Sequence, residues 1–481
     1  MQPIVQGYEP AKLFRFFEEL SAIPRPSGSE QAAADYLMEF AAARLLTATR
    51  DQWDNVIIKK SGSPGCENLP AVMLQGHTDM VCEQNAGTGH DFLTQGLDLY
   101  VEDGFLKARG TTLGADNGLA VAVMLTLLDD KTLRHPPLEC VFTVMEEVGL
   151  VGAINLDCTP LAAQTMINLD SEEEGIATVS CAGGAQAVLT LEGEFQQYPE
   201  PRPGLSIRIT GLKGGHSGMD IGWERGNANR LMGRLLAAGE KEIDALAFLE
   251  GGAKSNVIAR ECTAWVVARD PVAAQKAIEA QAAAIAAELE QADPGFQVTI
   301  EPLELQQGMA PRQSGAAISA LRLIPDGVLS RNMGQGGFVV ASSNLGIVTT
   351  ERGKIRFTVS LRSSQDSLQE DHLEHLRRIA ALLGCEMQVG SVYPGWDWAE
   401  HSPIRDAFII CYRQQTGEKL RCEAIHAGLE CGIFCGKMPG LDAIAVGPNI
   451  YDVHTPDERL DLASCGRLYK LLAGVLEGLT Q

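Results

Sequence analysis

A histidine and an aspartate two residues apart follow a short apolar segment of the chain, and by this spacing they could form part of a metal site. His77 and Asp79 follow residues 71–75, with Gly76 between Gln75 and His77. At the end of a strand, this spacing places both side chains on the same side. His77 can then bind a metal ion through one ring nitrogen while Asp79 orients the other. A simple polar turn after a strand is the alternative interpretation.

Two adjacent glutamates, Glu146 and Glu147, lie at the end of another apolar segment, which begins at Leu138. Like charges at the end of a buried strand repel each other and lose their hydration, and a metal ion bound by one of them relieves that cost. The other glutamate is then free to accept a proton from water. The pair therefore indicates a general base beside a metal ligand, with a solvated acidic loop as the alternative.

Three further residues could complete such a site. Asp116 lies in a glycine-rich turn before an apolar helix, where it could bridge two cations or simply cap the helix. Asp170 precedes a run of glutamates, which by itself indicates a solvated face. His454 could bind a metal ion or lie in the core.

Alternating apolar strands and helices are expected to position these side chains. We predict strands over residues 71–75, 138–145, 165–169 and 443–446, and a helix over residues 118–128. Buried strands that alternate with helices predict an α/β catalytic domain with a mostly parallel central sheet flanked by helices. Ligands gather at the carboxyl ends of the strands in such sheets, and most of the candidate residues lie there.

The pattern changes after about residue 185 and predicts a large inserted α+β lid domain. Alternating strands such as 205–210 and 355–361 accompany a long alanine-rich helix over 271–291. Residues 196–203 are rich in proline and charge, and we expect them to form a surface loop.

These changes define the predicted domains. The catalytic domain comprises residues 1–185 and 399–481, and the lid domain comprises residues 186–398. The lid is about twice as long as one small α+β layer requires, which favours two subdomains.

Composition and charge exclude several classes of protein. The formal net charge of −23 and the absence of a basic run argue against binding to nucleic acid. No apolar stretch is long enough to span a membrane, and no secretory signal pattern is present. The 12 cysteines lack paired spacing, and we therefore expect reduced thiols in a cytoplasmic protein.

Taken in order, the motifs resemble those of the co-catalytic zinc peptidases of the aminoacylase and carboxypeptidase-G2 type, in particular the aminoacyl-histidine dipeptidase branch. The resemblance extends through essentially the whole chain. The shared motifs are Gly-His-Thr-Asp-Met at 76–80, Leu-Gly-Ala-Asp-Asn-Gly at 113–118, Gly-Gly-His-Ser-Gly at 214–218 and His-Ala-Gly-Leu-Glu-Cys-Gly at 426–432.

The resemblance implies two divalent metal ions and assigns their ligands. His77 and Asp170 would bind one ion, Glu147 and His454 would bind the other, and Asp116 would bridge both. The ions would be zinc, although cobalt and manganese suit the same histidine and carboxylate ligands. A hydroxide that bridges the ions would then attack the peptide carbonyl.

The resemblance also implies the catalytic residues around the ions. Asp79 would support His77, and Glu146 would act as the general base and acid. His216, in the lid, would stabilise the oxyanion that forms during the reaction.

Four residues are expected to contact a dipeptide substrate. Arg362 resembles the family's carboxylate-binding arginine, and a bidentate guanidinium suits that task. Asn256 resembles a lid residue that contacts substrate. His426 and Glu430 are expected to line the site. Alternatively, Asn256 and Arg362 could simply belong to an ordinary polar face of a strand and make no contact with substrate.

The sequence therefore predicts a dipeptidase that acts on free dipeptides, including those with a C-terminal histidine. An aminoacylase or a carboxypeptidase on the same metal core is a second hypothesis. A non-catalytic metal-dependent binding protein is a third, although such a protein could lose its base and Glu146 is present. A homodimer through the lid is the expected assembly.

Overall fold

The structure is a computed structural model that describes residues 3–481. The α-helices are α1 (Ala11–Ser21), α2 (Gln31–Ala43), α3 (Ala115–Asp129), α4 (Val151–Asn155), α5 (Ala228–Gly239), α6 (Pro271–Glu288), α7 (Pro311–Leu323), α8 (Asp366–Leu383), α9 (Pro403–Thr416), α10 (Glu430–Lys437) and α11 (Leu462–Gly478).

The β-strands are β1 (Thr47–Arg50), β2 (Val56–Lys60), β3 (Val72–His77), β4 (Leu99–Glu102), β5 (Phe105–Ala108), β6 (Leu138–Thr143), β7 (Thr165–Asn168), β8 (Ile176–Cys181), β9 (Gly183–Glu192), β10 (Phe195–Thr210), β11 (Ile243–Gly251), β12 (Cys262–Ala268), β13 (Gln297–Met309), β14 (Gly327–Asn332), β15 (Phe338–Glu351), β16 (Lys354–Ser363), β17 (Cys385–Tyr393), β18 (Arg421–Ile425), β19 (Asp442–Ala445), β20 (Ile450–Tyr451) and β21 (Arg459–Asp461). Short 3₁₀ turns lie at Ile221–Trp223, Glu240–Glu242 and Met333–Gln335.

The chain divides into two compact units. The first unit comprises the residues up to Cys181 together with Trp396–Ala424 and Leu429–Gln481. The second unit comprises Ala182–Gly395 and Ile425–Gly428. The sequence did not predict that this last short segment belongs to the second unit.

The first unit is built on an eight-stranded sheet in the order β1-β2-β6-β3-β7-β19-β8-β18. The central strands β6, β3, β7 and β19 are parallel neighbours. Antiparallel strands β1 and β2 extend one side, and β8 pairs antiparallel with β19 on the other. The predicted α/β domain with a mostly parallel sheet is confirmed.

Helix α3 lies in the core of this unit and is apolar on every side. All of its residues from Asn117 to Leu128 are buried, as expected of a helix without a polar face. It packs against α1 and β3, so the turn before it is held firmly beside the sheet. Among residues 3–481, no helix is long and apolar enough to cross a membrane.

A small antiparallel sheet in the same unit has the order β20-β21-β5-β4. The loop between β20 and β21 carries His454. That residue has a φ of 63°, an uncommon backbone conformation for a residue other than glycine that often marks a functional site. The pairing of Ile450 with Leu460 closes the ends of the loop.

The second unit contains a nine-stranded sheet. Eight of its strands have the order β13-β10-β12-β11-β15-β16-β9-β17, and β14 pairs with β15 outside this order. Each pairing within this sheet is antiparallel. The predicted α+β character is therefore confirmed. The expectation of two subdomains is wrong, because the large core of the unit draws residues from strands and helices along the whole inserted segment.

The expectation of a surface loop at residues 196–203 is also wrong, because these residues belong to β10, and Gln196, Gln197, Arg202 and Pro203 pair with β13. The register of this pairing shifts between Gln197 and Arg202, and two of the prolines, Pro199 and Pro201, lie within the shift. Only residues 204–209 of β10 also pair with β12. The proline-rich part therefore has one neighbouring strand, where missing N–H groups are tolerated.

A buried polar network in the second unit connects α5 with β15. Asn227 caps α5 by accepting hydrogen bonds from the next turn, and its amide donates to Asp326 Oδ1 over 2.8 Å. The same Asp326 oxygen accepts a hydrogen bond from the backbone N–H of Leu345 over 2.9 Å. Asn344 in turn donates to the carbonyl oxygens of Ser255 and Val257, and thereby holds the segment that carries Asn256.

The network predicts a pH dependence of stability. Burial raises the pKa of Asp326 to about 6, so the folded chain binds this proton more tightly than the unfolded chain does. The free energy of unfolding should therefore fall as the pH rises from about 4 to about 6. A shift of this size corresponds to about 3 kcal/mol at most. In denaturant titrations, the free energy of unfolding of Asp326→Asn should not show this fall with pH.

Asp371→Asn is the matched control, because Asp371 is an exposed aspartate of the same unit. Its unfolding free energy should follow that of the unchanged chain across the same pH range. Equal pH slopes for Asp326→Asn and the unchanged chain would show that Asp326 does not carry the effect.

Candidate active site

His77 is the last residue of β3, and each of its ring nitrogens faces carboxylate groups. The side chain is almost fully buried, with 1% of its surface exposed. Nδ1 lies 3.3 Å from Asp79 Oδ1, and Nε2 lies 3.1 Å from Asp116 Oδ1 and 3.6 Å from Asp170 Oδ1. Asp79 thus orients the ring, and Nε2 is directed at the place where Asp116 and Asp170 meet.

The two carboxylate oxygens of Asp116 face different histidines. Oδ1 lies 3.1 Å from His77 Nε2, and Oδ2 lies 3.1 Å from His454 Nε2. Burial alone would raise the pKa of Asp116, but the hydrogen bonds from both histidines lower it below its ordinary value. The carboxylate therefore stays ionised, and each of its two oxygens could bind a separate metal ion.

Two groups of potential metal ligands share this aspartate, and within each group the ligand atoms lie within 4.8 Å of one another. The groups are His77, Asp116 and Asp170, and Asp116, Glu147 and His454. Imidazole nitrogens and carboxylate oxygens suit zinc, cobalt and manganese. The side chains that the family resemblance assigns to two ions are thus together in the structure, and the donor set fits divalent cations.

The pKa values around Asp116 show an excess of negative charge. Hydrogen bonds to Asp116 and Glu147 raise the pKa of His454 to about 11. Burial lowers the pKa of His77, but Asp170 and Asp116 outweigh burial and raise it well above its ordinary value. Burial raises the pKa of Asp170, to which the charges of Asp116 and Glu147 add. Cations are the groups that would relieve this excess.

Asp79 fixes the loop that carries the two glutamates as well as orienting His77. Its Oδ1 accepts a hydrogen bond from Glu146 N over 3.1 Å, and its Oδ2 accepts one from Glu147 N over 3.3 Å. Ser27 Oγ donates to Oδ2 over 2.7 Å. Burial would raise the pKa of Asp79, but its bonds with His77 and Ser27 lower it. One ionised carboxylate therefore aligns two segments of the site.

Glu146 is close to this metal-ligand cluster. One of its carboxylate oxygens lies within 4.8 Å of ligand atoms of His77 and Glu147. Burial raises the pKa of Glu146 well above its ordinary value, although His77 opposes the shift. A carboxylate with a raised pKa is a stronger base, as a residue that takes a proton from water must be.

Sequence reasoning did not identify the buried polar side chains beneath the cluster. Asn168 Oδ1 accepts a hydrogen bond from Asp170 N over 3.0 Å, and its amide donates to Gln75 Oε1 over 2.7 Å. Gln75 and Thr143 both donate to Glu430 Oε2. The available signal was a polar side chain at the buried end of each apolar strand: Gln75 in β3, Thr143 in β6 and Asn168 in β7.

In the second unit, backbone N–H groups determine which ring nitrogen of His216 carries the proton. Nδ1 lies 3.3 Å from Gly218 N and 3.1 Å from Met219 N, so it acts as an acceptor. Burial and the charge of Arg362 lower the pKa of His216. The neutral ring therefore carries its proton on Nε2 and presents that nitrogen as a donor.

Arg362 and His426 lie close to His216 in the same unit. A Cβ atom added to Gly218 would lie 3.1 Å from His216 Cε1 and 3.2 Å from Arg362 Nε. His426 Nε2 lies 2.7 Å from Ser342 Oγ. Its pKa is lowered to about 3 by burial and by Arg362. Among residues 3–481, the buried nitrogens Arg362 Nε and His426 Nδ1 have no hydrogen-bond partner.

The remaining two predicted substrate residues differ in exposure. Asn256 is exposed, and its carbonyl oxygen accepts a hydrogen bond from Ser217 N over 2.9 Å, which places it beside His216. Glu430 belongs to the first unit and has 0% of its surface exposed. Burial raises its pKa to about 7. Its contacts with Gln75 and Thr143 indicate a supporting position, and its contact with substrate stays a prediction.

Known proteins resemble this chain along nearly its whole length. The sequence of residues 73–478 matches the family model of peptidase family M20/M25/M40. The chain is 34% identical over 472 residues to the cytosol non-specific dipeptidase of Escherichia coli K12, with 97% of each chain covered. The crystal structure of aminoacylhistidine dipeptidase from Vibrio alginolyticus matches with a TM-score of 0.90 and 34% identity, over 98% of this chain and 97% of the other.

A more distant structure shares the fold alone. The aminopeptidase PepT from Bacillus cereus matches with a TM-score of 0.58 and 15% identity, over 98% of this chain and 100% of the other.

The ligand groups predict that divalent ions stabilise the chain. Adding Zn²⁺ to chelator-treated protein should raise the Tm measured by calorimetry, since each site filled at 100 times its Kd contributes about 2.7 kcal/mol. The increase should be larger at pH 8 than at pH 6, because protons compete with the ions for His77 and His454.

His454→Ala should reduce this increase, and His401→Ala is the matched control, because His401 is an exposed histidine outside the ligand groups. A Tm that does not respond to Zn²⁺ would contradict the assignment of the metal centre.

Proposed function

The chain belongs to peptidase family M20/M25/M40 and is a dipeptidase of that family, and we propose that two divalent metal ions and the carboxylate of Glu146 carry its reaction. The observation that supports this proposal is the pair of ligand groups that share Asp116, with Glu146 beside them. The substrates are free dipeptides, and the name of the Vibrio relative indicates that dipeptides ending in histidine are among them.

The metal centre of the proposal has one shared ligand and two pairs of unshared ligands. His77 and Asp170 would hold one ion, Glu147 and His454 the other, and Asp116 both. When bound, the ions would polarise the scissile carbonyl and lower the pKa of water to roughly 7 to 9. Zinc is the proposed metal because its ligands are commonly histidine and carboxylate.

Glu146 is the proposed general base and general acid. Its carboxylate takes a proton from the attacking water and then delivers that proton to the nitrogen of the leaving amine. The raised pKa of Glu146 makes its carboxylate a stronger base for the first of these steps. Asp79 holds the backbone of Glu146 in place during both steps.

The second unit supplies the proposed donors to the substrate. His216 presents Nε2–H, and a neutral donor of this kind can stabilise an oxyanion. The guanidinium of Arg362 would bind the terminal carboxylate of the dipeptide. His426 and Asn256 would line the same subsite, because both lie close to His216.

The alternative functions are not favoured. The two relatives that are 34% identical to this chain over nearly its whole length are named as dipeptidases, which disfavours an aminoacylase, a carboxypeptidase and a non-catalytic binding protein. We propose a cytosolic location, because the Escherichia coli relative is named for the cytosol and all 12 cysteines are free thiols. A homodimer through the lid stays a prediction.

A panel of substrates tests the proposed function. Purified protein loaded with Zn²⁺ should hydrolyse β-alanyl-histidine and other free dipeptides. It should act at least about 10-fold more slowly on the C-terminal amides, because these lack the carboxylate that Arg362 binds. N-acetyl amino acids should be poor substrates. Hydrolysis of N-acetyl amino acids in preference to dipeptides would instead identify an aminoacylase.

Arg362→Met should remove the preference for a free carboxylate by raising the KM of dipeptides. Arg356→Met is the matched control, because Arg356 lies on the same strand but is exposed. An unchanged ratio of dipeptide to amide hydrolysis in Arg362→Met would place the carboxylate elsewhere.

Glu146→Gln tests the proposed base. The variant should lose about 10²- to 10⁴-fold in kcat, the range typical of general acid–base catalysis. Its Zn²⁺ content should remain at two ions per chain, because Glu146 belongs to neither of the two groups that share Asp116. Steady-state kinetics and metal analysis on the same sample measure both. Full activity of this variant would refute the role of Glu146 while leaving the dipeptidase function intact.

A further inference from the structure

A carboxylate outside the ligand groups is buried at the N-terminus of α3. Glu458 has 2% of its surface exposed. Its Oε2 accepts hydrogen bonds from Leu113 N over 2.7 Å and Gly114 N over 2.9 Å. Its Oε1 accepts hydrogen bonds from Ala115 N over 2.8 Å and Asp116 N over 3.3 Å. One side chain thus satisfies four consecutive backbone donors, and the dipole of α3 favours a negative charge at this end.

Glu458 connects two segments that are far apart in sequence. It lies four residues after His454, in the loop between β20 and β21. Its hydrogen bonds reach the backbone of Asp116, which is 342 residues away. Asp116 and His454 are adjacent in the structure, with Oδ2 and Nε2 separated by 3.1 Å. The segments that carry these two side chains are therefore tied together by Glu458.

A buried arginine holds the same turn from the other side. Arg25 donates from Nη1 to Thr78 O over 2.9 Å and to Asp79 O over 3.2 Å, and from Nη2 to Gly114 O over 2.6 Å. It therefore ties the turn before α3 to the segment that follows His77.

The position of Arg25 also explains why two residues of the Leu-Gly-Ala-Asp-Asn-Gly motif are glycines. A Cβ atom added to Gly114 would lie 2.5 Å from Arg25 Nη2, and one added to Gly118 would lie 2.6 Å from the same nitrogen. Both glycines leave room for the guanidinium, so the backbone of the turn is closely packed against Arg25 while Glu458 occupies its N–H groups.

We propose that Glu458 is a positioning residue of the metal centre, which sets the separation of Asp116 and His454 before an ion binds. This inference rests on the proposed function, since it takes these two residues as metal ligands. Without the carboxylate, four buried N–H groups lose their acceptor, and the two segments lose the contact that ties them. The ion held by Asp116, Glu147 and His454 then has to order its own ligands, which weakens its binding.

Competition between the full-length, metal-free protein and a chromophoric zinc chelator tests this inference. The unchanged chain should bind two Zn²⁺ ions. Glu458→Gln, which keeps the volume of the side chain and loses the charge, should bind one ion about 10- to 100-fold more weakly, the usual cost of losing a group that orients a ligand. Its kcat at low Zn²⁺ should fall and should recover with excess Zn²⁺, with KM nearly unchanged. A purely structural defect would not respond to Zn²⁺ in this way.

Glu139→Gln is the matched control. Glu139 has 4% of its surface exposed and accepts hydrogen bonds from the backbone N–H groups of Ala162 and Ala163, yet it belongs to neither ligand group. This variant should lose stability without losing zinc affinity. Equal zinc affinities of Glu458→Gln and the unchanged chain would overturn the inference.

Two further variants separate the possible failures. If Glu458→Gln does not fold, Glu458→Asp is titrated instead, because its shorter carboxylate keeps the charge and cannot reach all four donors. Failure of both variants to fold would also overturn the inference, since it assigns Glu458 a local effect on the ligands. His454→Ala should lose one ion. If His454→Ala keeps two ions, the metal assignment of the proposed function fails, whatever the behaviour of Glu458.

Discussion

The arrangement of the site in the first unit is governed by the repulsion among its buried carboxylates. Asp79, Asp116, Glu146, Glu147 and Asp170 converge where the central parallel strands end. Water cannot screen charges that are buried, so each must be compensated by the protein. Backbone N–H groups and Ser27 compensate Asp79, and two histidines compensate Asp116. The remaining charges are those that a pair of divalent cations would balance.

The two units carry functional groups of opposite character. In the first unit, carboxylates raise the pKa values of His77 and His454. In the second unit, burial and Arg362 lower the pKa values of His216 and His426. Histidine is therefore used in two ways in one chain. Its pKa is raised where negative charge is in excess, and it is neutral where an arginine supplies the positive charge.

The sequence predicted the parts of the site that depend on local spacing. The positions of His77, Asp79, Glu146 and Glu147 follow from strands that end where polar residues begin, and the structure has those strands. The contacts that sequence reasoning missed act over long separations. Glu458 reaches a turn 342 residues away, and Glu430, which was predicted to line the site, contacts Gln75 from 355 residues away. Spacing carries no information about such contacts. The proline-rich part of β10 was mistaken for a loop because a strand with one neighbour tolerates prolines.

The short segment Ile425–Gly428 makes the second unit discontinuous in the gene. A fragment that encodes Ala182–Gly395 alone would lack His426, whose ring contacts Ser342, and the carbonyl oxygen of Ala427, which accepts a hydrogen bond from Ala182 N. The second unit therefore cannot be transferred between relatives as one continuous segment of the chain. A functional graft has to carry two fragments, and the second is only four residues long and lies between stretches of the first unit. Recombination that moves the longer fragment alone would separate Arg362 from the histidine beside it.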